Sequence, residues 1–220
     1  MITALYTTSY LEGQDWQGND RLQRNLKYLK YYQALKEKLG YDKIVFADNA
    51  SSDKNRHTLL EAGGPDVSMI GFEDHLPRTS IYGYPYCWRA LYAFEILINK
   101  GYEKIINIDS DCFVLTQRAL DYIKNLETGW TTFWCKKYGF PETAIQIICK
   151  DTFPEFLDFT KECRWEDRGT SKPMEILLPF THVNKELNCD RWGETREALS
   201  PDKDIYCQGN LDTNFVFQSA

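Results

Sequence analysis

The sequence predicts an α/β fold: a mostly parallel, Rossmann-type sheet flanked by helices in a single domain over residues 1–220. Three observations carry the prediction. Short apolar runs of strand length alternate with segments of helical periodicity, glycines follow the helical segments, and polar loops follow the apolar runs. That rhythm favours right-handed crossovers between parallel strands.

Each element has its own signal. Ile2–Tyr6 is an apolar run that passes into Thr7-Thr8-Ser9, a strand ending in a polar loop. From Asp20 to Leu39, apolar residues recur at Leu22, Leu26, Leu29, Tyr32, Leu35 and Leu39, and Gly40 follows as a helix C-cap. Lys43–Ala47 is a buried strand that stops at the loop Asp48-Asn49-Ala50-Ser51-Ser52-Asp53. Leu59–Ala62 closes a short helix, Gly63-Gly64-Pro65 turns the chain, and Val67–Ile70 supplies a third strand. Cys87–Asn99 carries Leu91, Phe94, Leu97 and Ile98 on one helical face and ends at Gly101. Lys104–Ile108 is a strand running directly into Asp109-Ser110-Asp111. Thr116 can cap a helix through Ile123; Trp130–Cys135 and Ile145–Cys149 read as strands, and 154–161 as a helix.

Composition bounds what this domain can do. The 220 residues are 43% hydrophobic, 15% aromatic and 26% charged, enough to fill one sizeable core. The formal net charge of −6 opposes broad electrostatic capture of nucleic acid or of anionic lipid. The apolar runs are too short for a transmembrane segment, and the opening MITALYTTSY reads as a first strand, not as a signal peptide. These features predict a cytoplasmic chain, at most peripheral to a membrane. The seven cysteines are scattered without a CxxC pair, so reduced and mostly buried thiols are expected. Oligomeric state leaves no trace in the sequence.

The chemistry concentrates at Asp109 and Asp111. Two carboxylates separated by one residue at the end of a buried strand sit at a sheet edge that a ligand can reach. Carboxylate oxygens suit hard cations, magnesium or manganese, whose coordination is completed by substrate phosphates and water. Such an ion neutralises charge on a departing diphosphate.

The run KIINIDSDCFVL resembles the apolar strand and DxD motif of GT-A glycosyltransferases, and DNASSD resembles their second-strand loop. With the opening LYTTSY, these features are similar to the donor half of that family, here residues 1–135, leaving 136–220 as an acceptor half. The resemblance implies a GT-A-like fold and a metal-dependent enzyme of the hexosyltransferase type. Its donor would be a nucleotide-sugar, a UDP-sugar by preference, with Mn2+ or Mg2+ as cofactor. Its acceptor would be a glycan or glycoprotein-glycan hydroxyl, as in the small bacterial and viral enzymes that build surface glycans. Carried over residue by residue, the nucleotide-sugar contacts are Thr7, Thr8, Tyr10, Asp48, Asn49, Asp109 and Ser110. Arg89 is expected in the first turn of its helix, near the diphosphate, with Arg78 as a further cation; both could bind phosphate oxygens bidentately.

His182, closing the apolar, strand-like run EILLPFTH, is a third metal ligand or an acceptor contact. The segment CQGNLDTNF faintly resembles the DQDxxN motif of retaining GT-A enzymes, with Cys207 and Gly209 in place of its two Asp, while Gln208 and Asn210 keep polar side chains for the donor sugar. An inverting reaction would need a carboxylate base, for which Asp212, Glu194 and Asp190 are the candidates. Retention and inversion both stay open. Two other readings compete. IINIDSDCFVL also resembles the first motif of haloacid-dehalogenase-type phosphatases, although Asp109 is mid-chain and Phe113 stands where that family has Thr or Val. A non-catalytic saccharide- or nucleotide-binding module would use the aromatic residues around 82–88 for stacking.

Overall fold

A computed structural model of the chain describes residues 1–15, 18–77, 85–162, 174–191 and 203–207. In chain order it contains β1 (Thr3–Ser9), α1 (Arg21–Ala34), α2 (Lys36–Leu39), β2 (Lys43–Asp48), α3 (Asp53–Gly63) and β3 (Val67–Gly71). Next come α4 (Pro85–Tyr92), α5 (Phe94–Asn99), β4 (Lys104–Ile108), β5 (Phe113–Val114) and α6 (Gln117–Asn125). The remainder is β6 (Trp130–Cys135), β7 (Phe140–Cys149), α7 (Phe153–Glu162), α8 (Met174–Leu177), β8 (His182–Arg191) and β9 (Ile205–Cys207).

The strands form one sheet in the order β3-β2-β1-β4-β7-β6-β8-β9-β5. The first four are parallel neighbours, β8 and β9 run parallel to β6, and the antiparallel pairings are β4–β7, β6–β7 and β5–β9. The sheet is therefore mostly parallel, as the alternation of elements predicts, with β7 and β5 reversed. Burial on both faces explains why β1, β2 and β4 read as nearly continuous apolar runs. Alternation along β1 sends Leu5 into one core layer with Tyr28 and Tyr32, and Tyr6 into the other, edge-on to Phe94 at 4.5 Å.

Capping fixes the helix starts. Asp20, Ser52 and Thr116 each accept from the backbone N–H three residues on, at the heads of α1, α3 and α6. The helix expected over residues 20–39 divides at Leu35, and Gly40 closes α2 with a left-handed φ of 69°. The helix expected from Cys87 starts at Pro85 and divides at Ala93. Its earlier start moves Arg89 into the second turn.

Two differences matter more. The strand expected from Ile145 begins at Phe140, because β7 tolerates Pro141 and carries an irregularity: Thr132 faces Gln146 while Phe133 faces Glu142. Residues 143–145 thereby have no partner on β6 between the two pairings, while Ile145 still faces Ile108 on β4. The run before His182 is a helical turn and not a strand; Pro179 cannot extend either structure, and β8 starts afresh at His182.

Among the described residues Cys87 is partly exposed, whereas Cys112, Cys135, Cys149, Cys189 and Cys207 are buried and free, as expected for reduced thiols. Cys163 lies outside them. No helix among the described residues is long and apolar enough to cross a membrane.

Candidate functional site

The carboxyl ends of β1, β2 and β4 open on a cleft of about 480 Å³. On its floor the chain leaves β4 in a tight turn. The Asp109 N–H donates to Ala144 O at 2.7 Å, and Cys112 N–H donates back to Asp109 O at 2.9 Å. Tyrosines of α1 hold the far side of that turn: Tyr32 Oη donates to Cys112 O at 2.9 Å, and Tyr31 Oη donates to Val114 O. Asp109 and Asp111 are both half-buried and face the cleft, with Ser110 between them.

Charge accumulates there. Burial pushes the Asp109 carboxyl well above the usual range, and Asp111 and then Glu142 push it further. Asp111 is also raised, first by burial; the Arg24 guanidinium opposes that shift and Glu142 adds to it. Glu142, fully buried on β7, is gripped by both Nε and Nη2 of Arg191, and its Oε1 also accepts from Ala144 N–H at 2.9 Å. Arg191 reaches Glu175 Oε1 at 2.8 Å as well. Ala144, in the stretch of β7 without a β6 partner, thus connects this ion-pair network to Asp109.

The opposite end of the cleft is built by β2 and β3. Asn49 receives the Leu76 N–H at 3.1 Å and the Arg89 guanidinium on Oδ1, and donates to Leu76 O at 2.9 Å. Arg89 is 6% exposed, lies over the Phe72 ring at 4.3 Å, and makes no ion pair among the described residues. Burial lowers its pKa, with Asp74 and Asp48 partly compensating. Tyr10 stacks on His75 at 4.1 Å, and Arg21 covers Tyr10 at 5.3 Å.

Of the residues predicted from sequence, Thr8, Tyr10, Asn49, Arg89, Asp109, Ser110 and Asp111 converge on this cleft. Arg89 lies toward β2 and β3 rather than beside the DxD turn. Three predicted residues lie elsewhere. Thr7 is fully buried and alternates onto the face of β1 opposite Thr8, beneath Tyr28. Asp48 is fully buried and holds its own loop, accepting from Ser51 N–H at 2.8 Å, Ser51 Oγ at 2.6 Å and Ser9 Oγ at 3.1 Å. His182 is exposed at the first position of β8, opposite Thr131. Because β8 is parallel to β6 and ends at Arg191 beside the cleft, its first residue lies at the other edge of the sheet, too far away to ligate a metal on Asp109. Arg78, Glu194, Gln208, Asn210 and Asp212 lie outside the described residues, as does the side chain of Asp190, whose backbone pairs with Tyr206.

Sequence reasoning missed Asp15, Arg21, Arg24, Phe72, His75, Glu142 and Arg191. Arg21 and Arg24 carried a usable signal: both fall at the start of α1, where the helix dipole disfavours cations. Glu142 and Arg191 carried none, being 49 positions apart and on strands that flank β6 on either side.

The donor set fits a hard divalent ion. Asp109 and Asp111 offer oxygen alone, with Glu142 adding negative charge beside them. Among the described residues no group of three or more His, Cys, Asp or Glu is placed to enclose a metal, so the remaining positions would fall to water and phosphate oxygens, as magnesium-like ions prefer.

No family model and no curated protein matches this sequence. Solved structures do match its fold. A glycosyltransferase involved in the glycosylation of the major capsid of PBCV-1 aligns at a TM-score of 0.51 and 11% identity, covering 99% of this chain and 98% of that one. An active-site mutant of LgtC aligns at a TM-score of 0.56 and 11% identity, covering 94% and 86%. A 4-diphosphocytidyl-2C-methyl-D-erythritol synthase from Anaerococcus prevotii aligns at 0.50 and 9% identity, covering 84% and 86%. At these identities the likeness is one of architecture. The chain has the GT-A type of α/β fold, a single sheet flanked by helices with its cleft at the carboxyl ends of the parallel strands.

Proposed function

We propose that this protein is a metal-dependent glycosyltransferase that moves a sugar from a nucleotide-sugar, a UDP-sugar by preference, to a glycan or glycoprotein-glycan hydroxyl. One observation carries the reading: Thr8 and Tyr10 after β1, Asn49 after β2, Arg89 on α4, and Asp109 and Asp111 after β4 all line one cleft. The GT-A architecture of the matched glycosyltransferases supports it.

In this reading Asp109 and Asp111 hold Mn2+ or Mg2+, which supplies Lewis-acid stabilisation of the diphosphate. Arg89 and Tyr10 receive the nucleoside end, with Asn49 fixing the Arg89 guanidinium. The acceptor oxygen forms a bond to the anomeric carbon as the bond from that carbon to the diphosphate oxygen breaks, and the electron pair leaves with the nucleoside diphosphate. The hydroxyl proton passes to a carboxylate if the configuration inverts, with Asp190, Glu194 and Asp212 as the candidates.

The test is calorimetric titration of UDP and UDP-glucose with Mn2+ and then with a chelator, in wild type and in Asp109→Ala/Asp111→Ala. Metal-dependent binding that disappears in the double variant is expected. Absence of binding to UDP and to a panel of other nucleotides would overturn the proposal.

A further inference from the structure

The cleft holds a cation to which the scheme above gives no role. Arg24 follows Arg21 by one helical turn on α1, and both line the cleft. Its Nη1 lies 3.1 Å from Asp15 Oδ2 and 4.0 Å from Asp111 Oδ2. The first contact is a hydrogen-bonded ion pair; the second is at the limit of contact. Asp15 is itself held in place, 5% exposed, with Oδ1 accepting from Asn19 N–H at 2.9 Å and Oδ2 from Asn19 Nδ2 at 3.1 Å.

The guanidinium is thus tethered through one nitrogen. Its Nε is buried without a hydrogen-bond partner, and Nη2 makes no hydrogen bond among the described residues. A buried donor left unmade is costly, and a cation this close to a helix N-terminus is disfavoured by the dipole. An anion in the cleft would relieve the second and give Nη2 an acceptor. Nη2 is the donor left to meet a phosphate oxygen in the cleft, and Arg24 stands beside the carboxylate assigned to the metal, 4.0 Å from Asp111 Oδ2.

We propose that Arg24, positioned by Asp15, donates to the phosphate oxygens of the nucleoside diphosphate and stabilises the charge it acquires on leaving the sugar. The inference rests on the donor-site reading above. The covalent step is unchanged: Arg24 keeps its protons throughout, and its donors strengthen as the electron pair arrives on the diphosphate. Asp15 acts through Arg24 and touches no substrate.

The experiment compares uridine, UMP and UDP by calorimetry, with Mn2+ and with EDTA, in wild type, Arg24→Gln, Arg24→Lys and Asp15→Asn, with a thermal melt confirming that each variant folds. Arg24→Gln should weaken UDP by roughly ten- to a hundred-fold, the scale of a charge-assisted hydrogen bond, in both metal conditions and leave uridine unchanged. Arg24→Lys should recover part of that loss, since it keeps the charge without the guanidinium nitrogen that faces the cleft. Asp15→Asn should give a smaller loss of the same kind. Equal UDP affinity in wild type and Arg24→Gln would overturn the proposal and leave Arg24 as a tether of the loop before α1. Should Arg24→Gln fail to fold, equal affinity of wild type for UDP and uridine in EDTA would overturn it instead. If wild type binds no nucleotide even with Mn2+, the donor-site reading fails first and the inference fails with it.

Discussion

Replacing Glu142 by Ala should destabilise the protein and loosen the proposed metal site together. The carboxylate is fully buried, and Arg191 grips it with two nitrogens while itself only 15% exposed by side chain. Removing one member of such a pair leaves an uncompensated buried charge, which costs about 3–5 kcal/mol. Arg191 keeps Glu175 at 2.8 Å, so the lower end of that range, about 3 kcal/mol, is expected. For a chain of this length that corresponds to a fall in Tm of roughly 6–12 °C. The site should respond because Glu142 Oε1 accepts the Ala144 N–H and Ala144 O accepts the Asp109 N–H. The assay is scanning calorimetry of wild type, Glu142→Ala and Glu142→Gln, paired with Mn2+ titration. Glu142→Gln keeps an acceptor for Ala144 and should hold more metal affinity than Glu142→Ala. A Glu142→Ala protein that melts within about 2 °C of wild type would refute the argument, since a pair worth under 1 kcal/mol behaves as a surface salt bridge.

Further outcomes follow from other parts of the fold. Lys104 is 1% exposed, and its Nζ donates to Ile123 O at 2.6 Å and Lys124 O at 2.9 Å, with burial pulling its pKa down to about 8. Between pH 8 and about 10.4 the unfolded chain binds more protons than the native one, so this group makes stability rise with pH across that window. Buried thiols and tyrosines titrate in the opposite sense, so the check is the difference between wild type and Lys104→Met in urea melts at pH 8, 9 and 10; a constant difference would contradict the assignment. Incubation with p-nitrophenyl phosphate and Mg2+ should release no phenolate. Release that Asp109→Asn abolishes would instead favour a phosphatase.

The order of elements and the position of the DxD turn were legible because their causes are local. Apolar runs buried on both faces, capping residues at 20, 52 and 116, and glycine after α2 act within a few residues of themselves. The loops after β1, β2 and β4 then converge because parallel strands place their carboxyl ends at one edge, so Thr8, Tyr10, Asn49, Asp109 and Asp111 were recoverable from sequence. Side-chain direction was harder. Whether Thr7 or Thr8 faces the cleft depends on the pleat, and whether Asp48 meets a ligand depends on Ser9 and Ser51 claiming its oxygens first.

What only the tertiary structure decided is the charge balance of the cleft. Glu142 meets Arg191 because β7 runs back between β4 and β6, and because residues 143–145 leave the pairing with β6. Arg24 reaches Asp111 because the buried tyrosines of α1 dock that helix onto the turn after β4. His182 is removed from the site by the direction of β8, a property of the sheet as a whole. Sequence patterning determines which segments are strands and helices, since burial periodicity is local. Which charges face one another depends on strand order and register, and those are set by contacts between residues far apart in the chain.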